Sequence, residues 1–204
     1  ALRHEQNRGA PATINEGIER ARGEFVAVLN SDDVYAPERF AEVLAFMEAG
    51  DLDFAATDIE LIDEAGRVTR DKGHWWIEWF EGLKAEYLID HDLRRALLCG
   101  NLLITTSNFV VRREVFDTIG PFHDYRYVHD YEFLLRLLEE RPQRLGFMAD
   151  RKLLKYRLHS SNTIREAPLA ANQETFAILS RWRPAFCDGD HRRLIDALAR
   201  QMTK

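Results

Sequence analysis

The chain has 204 residues, of which 46% are hydrophobic and 30% charged, with a net charge of −6. That apolar content is enough for one folded domain with a real core, and the acidic balance argues against a protein that tracks nucleic-acid phosphates. The longest apolar runs, such as Phe25–Leu29, are too short to cross a bilayer.

In chain order, Ala10, Ile14, Ile18 and Ala21 recur at helical spacing, with Pro11 in the first turn and Gly23 as a stop. Phe25–Leu29 is a continuous apolar run, the pattern of a strand buried on both faces of a parallel sheet, and Asn30-Ser31-Asp32-Asp33 ends it. Pro37 opens a second predicted helix, with Phe40, Val43, Leu44 and Met47 on one face and Gly50 at its end. Strands are expected near 54–57 and at 59–62, followed by a turn at Asp63-Glu64-Ala65-Gly66. The stretch 70–100 is less regular: Trp75, Trp76, Trp79 and Phe80 crowd together ahead of a helix around Asp92–Leu98. A strand at Phe109–Val111 leads into a short helix closed by Gly120. Asp130 opens an amphipathic helix with Leu134, Leu135 and Leu138 inward. Strands at 145–149 and 152–158, then helices at 167–182 and 190–202, complete an α/β layered pattern without internal repeats.

Three polar clusters carry candidate chemistry. Asn30–Asp33 sits at the carboxyl end of a predicted strand, the edge where open α/β sheets bind ligands. Carboxylates there suit a hard divalent cation, although Asp also caps helices in such loops. Asp130 has two readings as well, a general base for a hydroxyl nucleophile or the N-cap of its helix, and His129 beside it is either catalytic or packed. Arg157 and His159, at the end of the last strand, suit a phosphate and a metal respectively, or a plain surface edge. The tryptophans at 75–79 either stack on sugar faces or fill the core.

The order of these segments is more specific than any one of them. Asn7-Arg8-Gly9, Asn15-Glu16-Gly17-Ile18, Ala21-Arg22-Gly23-Glu24-Phe25 and Leu29-Asn30-Ser31-Asp32-Asp33 resemble the central block of family 2 glycosyltransferases with the GT-A fold. Val111–Phe116, Ile119-Gly120-Pro121-Phe122 and His129–Leu137 resemble that family's acceptor-side segment, and Tyr156-Arg157-Leu158-His159 resembles its closing Y-R-x-H. The resemblance covers roughly residues 5–162 and implies a GT-A-like, Rossmann-like mixed sheet flanked by helices, with C-terminal helices. It implies a glycosyltransferase domain over 1–165 and a helical extension over 166–204 packed on it.

Carried over residue by residue, Asp130 is the catalytic base and Asp32 a metal ligand, with His159 beside the metal and the diphosphate. Asn30 takes the first place of the D-x-D-type motif, and Asn30, Asp33, Arg157 and His159 face the donor. His129 stands on the acceptor side, replacing the commoner Glu before the base; Trp75 and Trp76 are assigned to the acceptor side on their aromatic character alone, outside the motifs that carry the resemblance. The implied reaction is inverting transfer from a nucleotide sugar, most often a UDP-sugar, to a glycan, lipid-linked or polysaccharide hydroxyl, with Mn²⁺ or Mg²⁺. The rivals are a non-catalytic carbohydrate-binding or scaffold domain built on the same fold, and a nucleotidyltransferase, which should carry a Gly-rich basic loop near its start.

The chain begins at Ala1 and enters directly into Leu2–Asn7, without the nucleoside-binding strands with which the family begins. We therefore expect a sheet incomplete at its N-terminus, a segment of a longer protein. Cys99 and Cys187 fit neither a disulfide framework nor a metal finger, and no secretory leader is recognisable. The expected location is cytoplasmic, extending to the inner face of a membrane through the final helices, although Arg192, Arg193 and Arg200 are too few to decide this.

Overall fold

The computed structural model describes residues 3–69, 75–159 and 167–182. The expected helix at 190–202, Cys187, the three terminal arginines and the polar loop at 160–162 lie outside the described residues.

The first helix, α1 (Ala10–Arg20), is followed by a short strand, β1 (Phe25–Ala27), and a two-residue strand, β2 (Val34–Tyr35). Then come α2 (Arg39–Ala49), the long strand β3 (Phe54–Ile62), α3 (Trp75–Asp90) and α4 (Leu93–Cys99). A single 3₁₀ turn at Thr106–Asn108 precedes β4 (Val110–Arg112), α5 (Val115–Ile119), α6 (His129–Glu140), β5 (Leu145–Arg157) and α7 (Pro168–Trp182). The strands form one mixed sheet in the order β1-β4-β3-β5-β2, in which β3 and β5 are parallel and the other pairs antiparallel. This is the expected α/β arrangement, a mixed sheet flanked by helices.

Both sheet faces are covered. Phe54, Ile59, Trp76, Phe80, Phe109, Phe133 and Leu134 belong to the larger core, while Val43 and Met47 of α2 seal the smaller one with Leu52, Ala55, Val110 and Leu153. Leu135, on another face of α6, meets Leu98, Ile178 and Trp182, so α7 packs on the same body.

Several expectations need correction. Phe25–Leu29 is not a strand buried inside a parallel sheet: β1 has three residues, pairs antiparallel with β4 at one end of the sheet, and leaves Leu29 half exposed. An apolar run reports burial but says nothing about its neighbour's direction. The strands expected at 54–57 and 59–62 are one strand, as are those at 145–149 and 152–158. Their pairing steps from Thr57 opposite Met148 to Asp58 opposite Lys152, so Ala149–Arg151 bulge out. On the opposite edge of β3, where the β4 register continues, the buried Asn108 side chain accepts from the Thr57 amide at 3.0 Å and donates to its carbonyl at 2.8 Å. The helix α3 stands where the sequence pattern shows only an irregular stretch, because Trp75, Trp76, Ile77, Trp79 and Phe80 crowd its first turns with apolar residues and blur the 3.6 period. Finally, Asp130 is not a cap: Val128 occupies the N-cap position without a side-chain bond, and Asp130 lies inside the first turn of α6.

Ionic clamps fix the lower ends of the central strands. Asp53 is fully buried and takes Arg141 at 2.8 Å and Arg144 at 2.7 Å. Burial alone would raise its carboxyl, yet the two guanidiniums hold it below the ordinary carboxylate range. Its stabilisation is therefore present at neutral pH and is lost as the pH falls through that depressed value. Asp53→Ala takes the carboxylate from half-buried Arg141 and leaves Arg144 with Asp51, and we expect a loss of about 2–3 kcal/mol in urea unfolding at pH 7. The difference from wild type should shrink in strong acid.

Candidate functional site

Beyond β1 the chain turns through Asn30–Asp33, and the segment before β4 grips this turn. Ser107 Oγ accepts from the Asn30 amide at 3.0 Å, and Asn30 Nδ2 donates to Thr105 Oγ1 at 3.0 Å. The Thr106 hydroxyl donates weakly to Asn30 Oδ1 at 3.4 Å. The amide of Asn30, expected to face the donor, is thus largely engaged in holding its own loop.

The two aspartates diverge. Asp33 is buried and accepts from the Arg157 amide at 3.1 Å, which joins the loop to β5. Burial pushes its carboxyl up, and its Oδ2 has no partner among the described residues. Asp32 instead lines a cleft of about 470 Å³ and places Oδ2 2.9 Å from Nε2 of His159. The Arg157 guanidinium donates to the carbonyls of Asp32, Asp63 and Glu64. It braces loops, and neither it nor Asp33 is part of the cleft lining.

The opposite side is built by α6, α3 and the segment after α4. Asp130 is 7% exposed and lines the same cleft. Its Oδ1 accepts from the Tyr131 amide at 2.7 Å and its Oδ2 from Asn101 Nδ2 at 3.0 Å. Burial raises its carboxyl, opposed by the charge of His129 and by these two donors. His129 also lines the cleft, with its ring edge toward Phe122 and a buried Nδ1 that has no partner among the described residues.

The tryptophans separate. Trp76 is buried between Phe80 and Tyr156, stacked on both at centroid distances of 5.7 and 5.5 Å, so most of its surface serves the core although an edge reaches the cleft. Trp79, one turn on, is 37% exposed and also lines the cleft. Of Trp75 only its place at the start of α3 is described. The cleft thus joins Asn30, Asp32, His129, Asp130, His159 and Trp76, six of the expected site residues.

Sequence reasoning missed Trp79 as the exposed member of its cluster, and it missed Asn101, Thr105 and Tyr156. Asn101 did leave a trace, as the polar residue interrupting the apolar stretch Ala96–Leu103.

Asp32 and His159 fit a divalent cation as two ligands of an open site, with phosphate oxygens and water left to complete its shell. Among the described residues no third His, Cys, Asp or Glu closes around such a centre.

Residues 1–120 match the family model for glycosyl transferase family 2. The chain belongs to this family. Asp130, Tyr156 and His159 lie beyond the matched range, so their placement rests on the geometry above.

The chain is similar in sequence to other proteins named as glycosyltransferases. An uncharacterized glycosyltransferase of Methanocaldococcus jannaschii is 31% identical over 71 residues, covering 34% of this chain and 24% of that protein. The amylovoran biosynthesis glycosyltransferase AmsE of Erwinia amylovora is 25% identical over 135 residues, 66% of this chain and 46% of the relative. The chain therefore spans about a quarter of the first relative and just under half of the second.

In structure it resembles S. aureus TarS 1–349 in complex with UDP-GlcNAc, with a TM-score of 0.59 and 15% identity over 94% of this chain and 52% of the other. Glucosyl-3-phosphoglycerate synthase of Mycobacterium tuberculosis aligns with a TM-score of 0.56 and 15% identity, covering 91% and 59%. At such identities the likeness is one of fold. No helix among the described residues is long and apolar enough to cross a membrane.

Proposed function

We propose that this chain carries the transfer site of an inverting glycosyltransferase that uses a nucleotide sugar, and that Asp130 is its general base. The observation behind this reading is that Asp130 lies on the wall of the cleft that also holds the Asp32–His159 pair, and does not cap its helix. A carboxylate so placed accepts the proton of an acceptor hydroxyl while the oxygen attacks the anomeric carbon. The bond from that carbon to the diphosphate oxygen breaks on the opposite face, so the configuration inverts.

Asp32 and His159 would hold Mn²⁺ or Mg²⁺. When bound, such an ion offsets the charge that develops on the departing diphosphate. Asp33 and Arg157 keep the Asn30–Asp33 loop against β5, and Asn30 keeps it against Thr105–Ser107. Donor contact is thereby assigned to Asp32 and His159, with the other three as supports.

A UDP-sugar is the favoured donor, in keeping with the UDP-GlcNAc named for TarS. A glycan, lipid-linked or polysaccharide acceptor accords with relatives named for amylovoran and succinoglycan biosynthesis. We place the protein in the cytoplasm, acting there or at the inner membrane face.

The test is Mn²⁺-dependent release of UDP from UDP-N-acetylglucosamine and other UDP-sugars by the full-length protein. Release that EDTA abolishes and added Mn²⁺ restores is the expected result. Metal-independent release, or none with any nucleotide sugar, would count against the reading and favour a scaffold. In the same assay Trp79→Ala is expected to raise the KM for a sugar acceptor several-fold while leaving donor hydrolysis unchanged, because the exposed indole offers the cleft an apolar face.

A further inference from the structure

The segment between α4 and β4 holds both halves of the cleft. Three of its residues, Thr105, Thr106 and Ser107, grip Asn30 on the donor side. Asn108 is locked behind them, tied to Thr57 and accepting at its carbonyl from the fully buried Arg39 at 2.8 Å. Asn101, at the other end, reaches Asp130.

The Asn101 amide is divided between two tasks. Its Oδ1 accepts from the Ile104 amide at 3.1 Å, which closes the turn 101–104, and its Nδ2 donates to Asp130 Oδ2 at 3.0 Å. Ile104 sits in that turn with φ at 70° and itself lines the cleft. A β-branched residue disfavours this backbone region, and such strain persists only where the surroundings impose it. The turn is therefore held in one shape, and that shape aims the amide hydrogens of Asn101 at the carboxylate.

We propose that Asn101 is the positioning residue for Asp130: it fixes the carboxylate on the cleft wall and favours its ionised form through an amide anchored in the strained turn at Ile104. The proposal rests on the reading of Asp130 as the base. Several groups set the charge around that carboxylate. His129 and Tyr131 come from α6 itself and Tyr156 from β5, while Asp124 and Arg126 from the preceding loop and the Asp32–His159 pair share the cleft. Among the described residues, Asn101 is the side chain that donates to it directly.

Asn101→Asp separates positioning from plain folding. The new carboxylate still accepts from Ile104, so the turn survives, but it offers Asp130 no donor and adds a like charge. On the 204-residue chain labelled at aspartate, carboxyl-carbon NMR should show the Asp130 titration move upward by at least about one pH unit. The Asp130 signal is identified by its loss in Asp130→Asn. Asn101→Ala, which removes the donor without adding charge, should move it in the same direction by less.

In the full-length protein the acid limb of the turnover profile should follow the same shift. The maximal rate of Asn101→Ala should fall roughly ten- to a hundredfold, with the donor KM unchanged. An unmoved Asp130 titration in Asn101→Asp would overturn the proposal even if turnover fell. Asp130→Asn with full turnover would instead remove the base reading, and the proposal with it; the two failures are read on different variants.

Discussion

Asp130→Asn is expected to lower turnover by about a hundredfold or more, the usual worth of a positioned base, while the protein stays folded and binds donor. The amide retains an oxygen for the Tyr131 amide, at present 2.7 Å from the carboxylate. It loses the Asn101 bond, since two NH₂ groups then face each other, a cost of about 1 kcal/mol. Removal of a charge that burial already disfavours offsets part of this. The melting temperature should therefore change by a few degrees at most.

A base must be unprotonated to work. Because burial raises the Asp130 carboxyl, wild-type turnover should climb with pH along an acid limb above the ordinary carboxylate range of about 4. The substitution should remove that limb along with the rate. If turnover were preserved and only the melting temperature fell, Asp130 would be a structural residue, and His129, its neighbour on the cleft, would become the base to test.

The contrast between what was readable and what was not follows the nature of each signal. The buried face of α6 was legible because Leu134, Leu135 and Leu138 repeat at helical spacing, and all three are buried. The site segments were legible because motifs are local: Asn30–Asp33, His129–Asp130 and Tyr156–His159 each arrive as a contiguous string. The partition of labour within a string was not legible. Asp32 and Asp33 are neighbours in sequence, yet one faces the cleft and the other is buried against β5, and only the distant Arg157 amide and His159 decide which.

Strand direction was hidden for a similar reason. The pairing of β1 with β4 joins Phe25 to Arg112 across 87 residues, and nothing in Phe25–Leu29 encodes it. The same applies to Arg39, whose full burial depends on Thr57 and Asn108 from two other elements and on the ring of Tyr35. A polar residue in a helix pattern reads as solvent-facing until its partners are known.

Asp32→Ala should abolish Mn²⁺-dependent turnover and barely affect stability. Its side chain is 36% exposed and its bond to His159 is to a partly exposed group, so the core does not depend on it. Asp33→Ala should behave in the opposite way. That carboxylate is buried and accepts from the Arg157 amide, so its removal leaves a backbone donor unpaired in the loop-to-β5 seam. A loss of about 1–2 kcal/mol is expected, moderated because the carboxyl is already disfavoured by burial.

The two variants should therefore cross: one loses metal response and keeps its melting temperature, the other keeps metal response and melts earlier. His159→Ala lies between them, leaving Asp32 as the lone protein ligand. It should weaken the apparent Mn²⁺ affinity without abolishing turnover at saturating metal, because phosphate oxygens and water can fill the vacated position. Turnover measured against Mn²⁺ concentration, beside thermal melts of all three variants, separates these outcomes. Equal metal response in Asp32→Ala and wild type would remove Asp32 from the donor site and return the Asn30–Asp33 turn to a structural role.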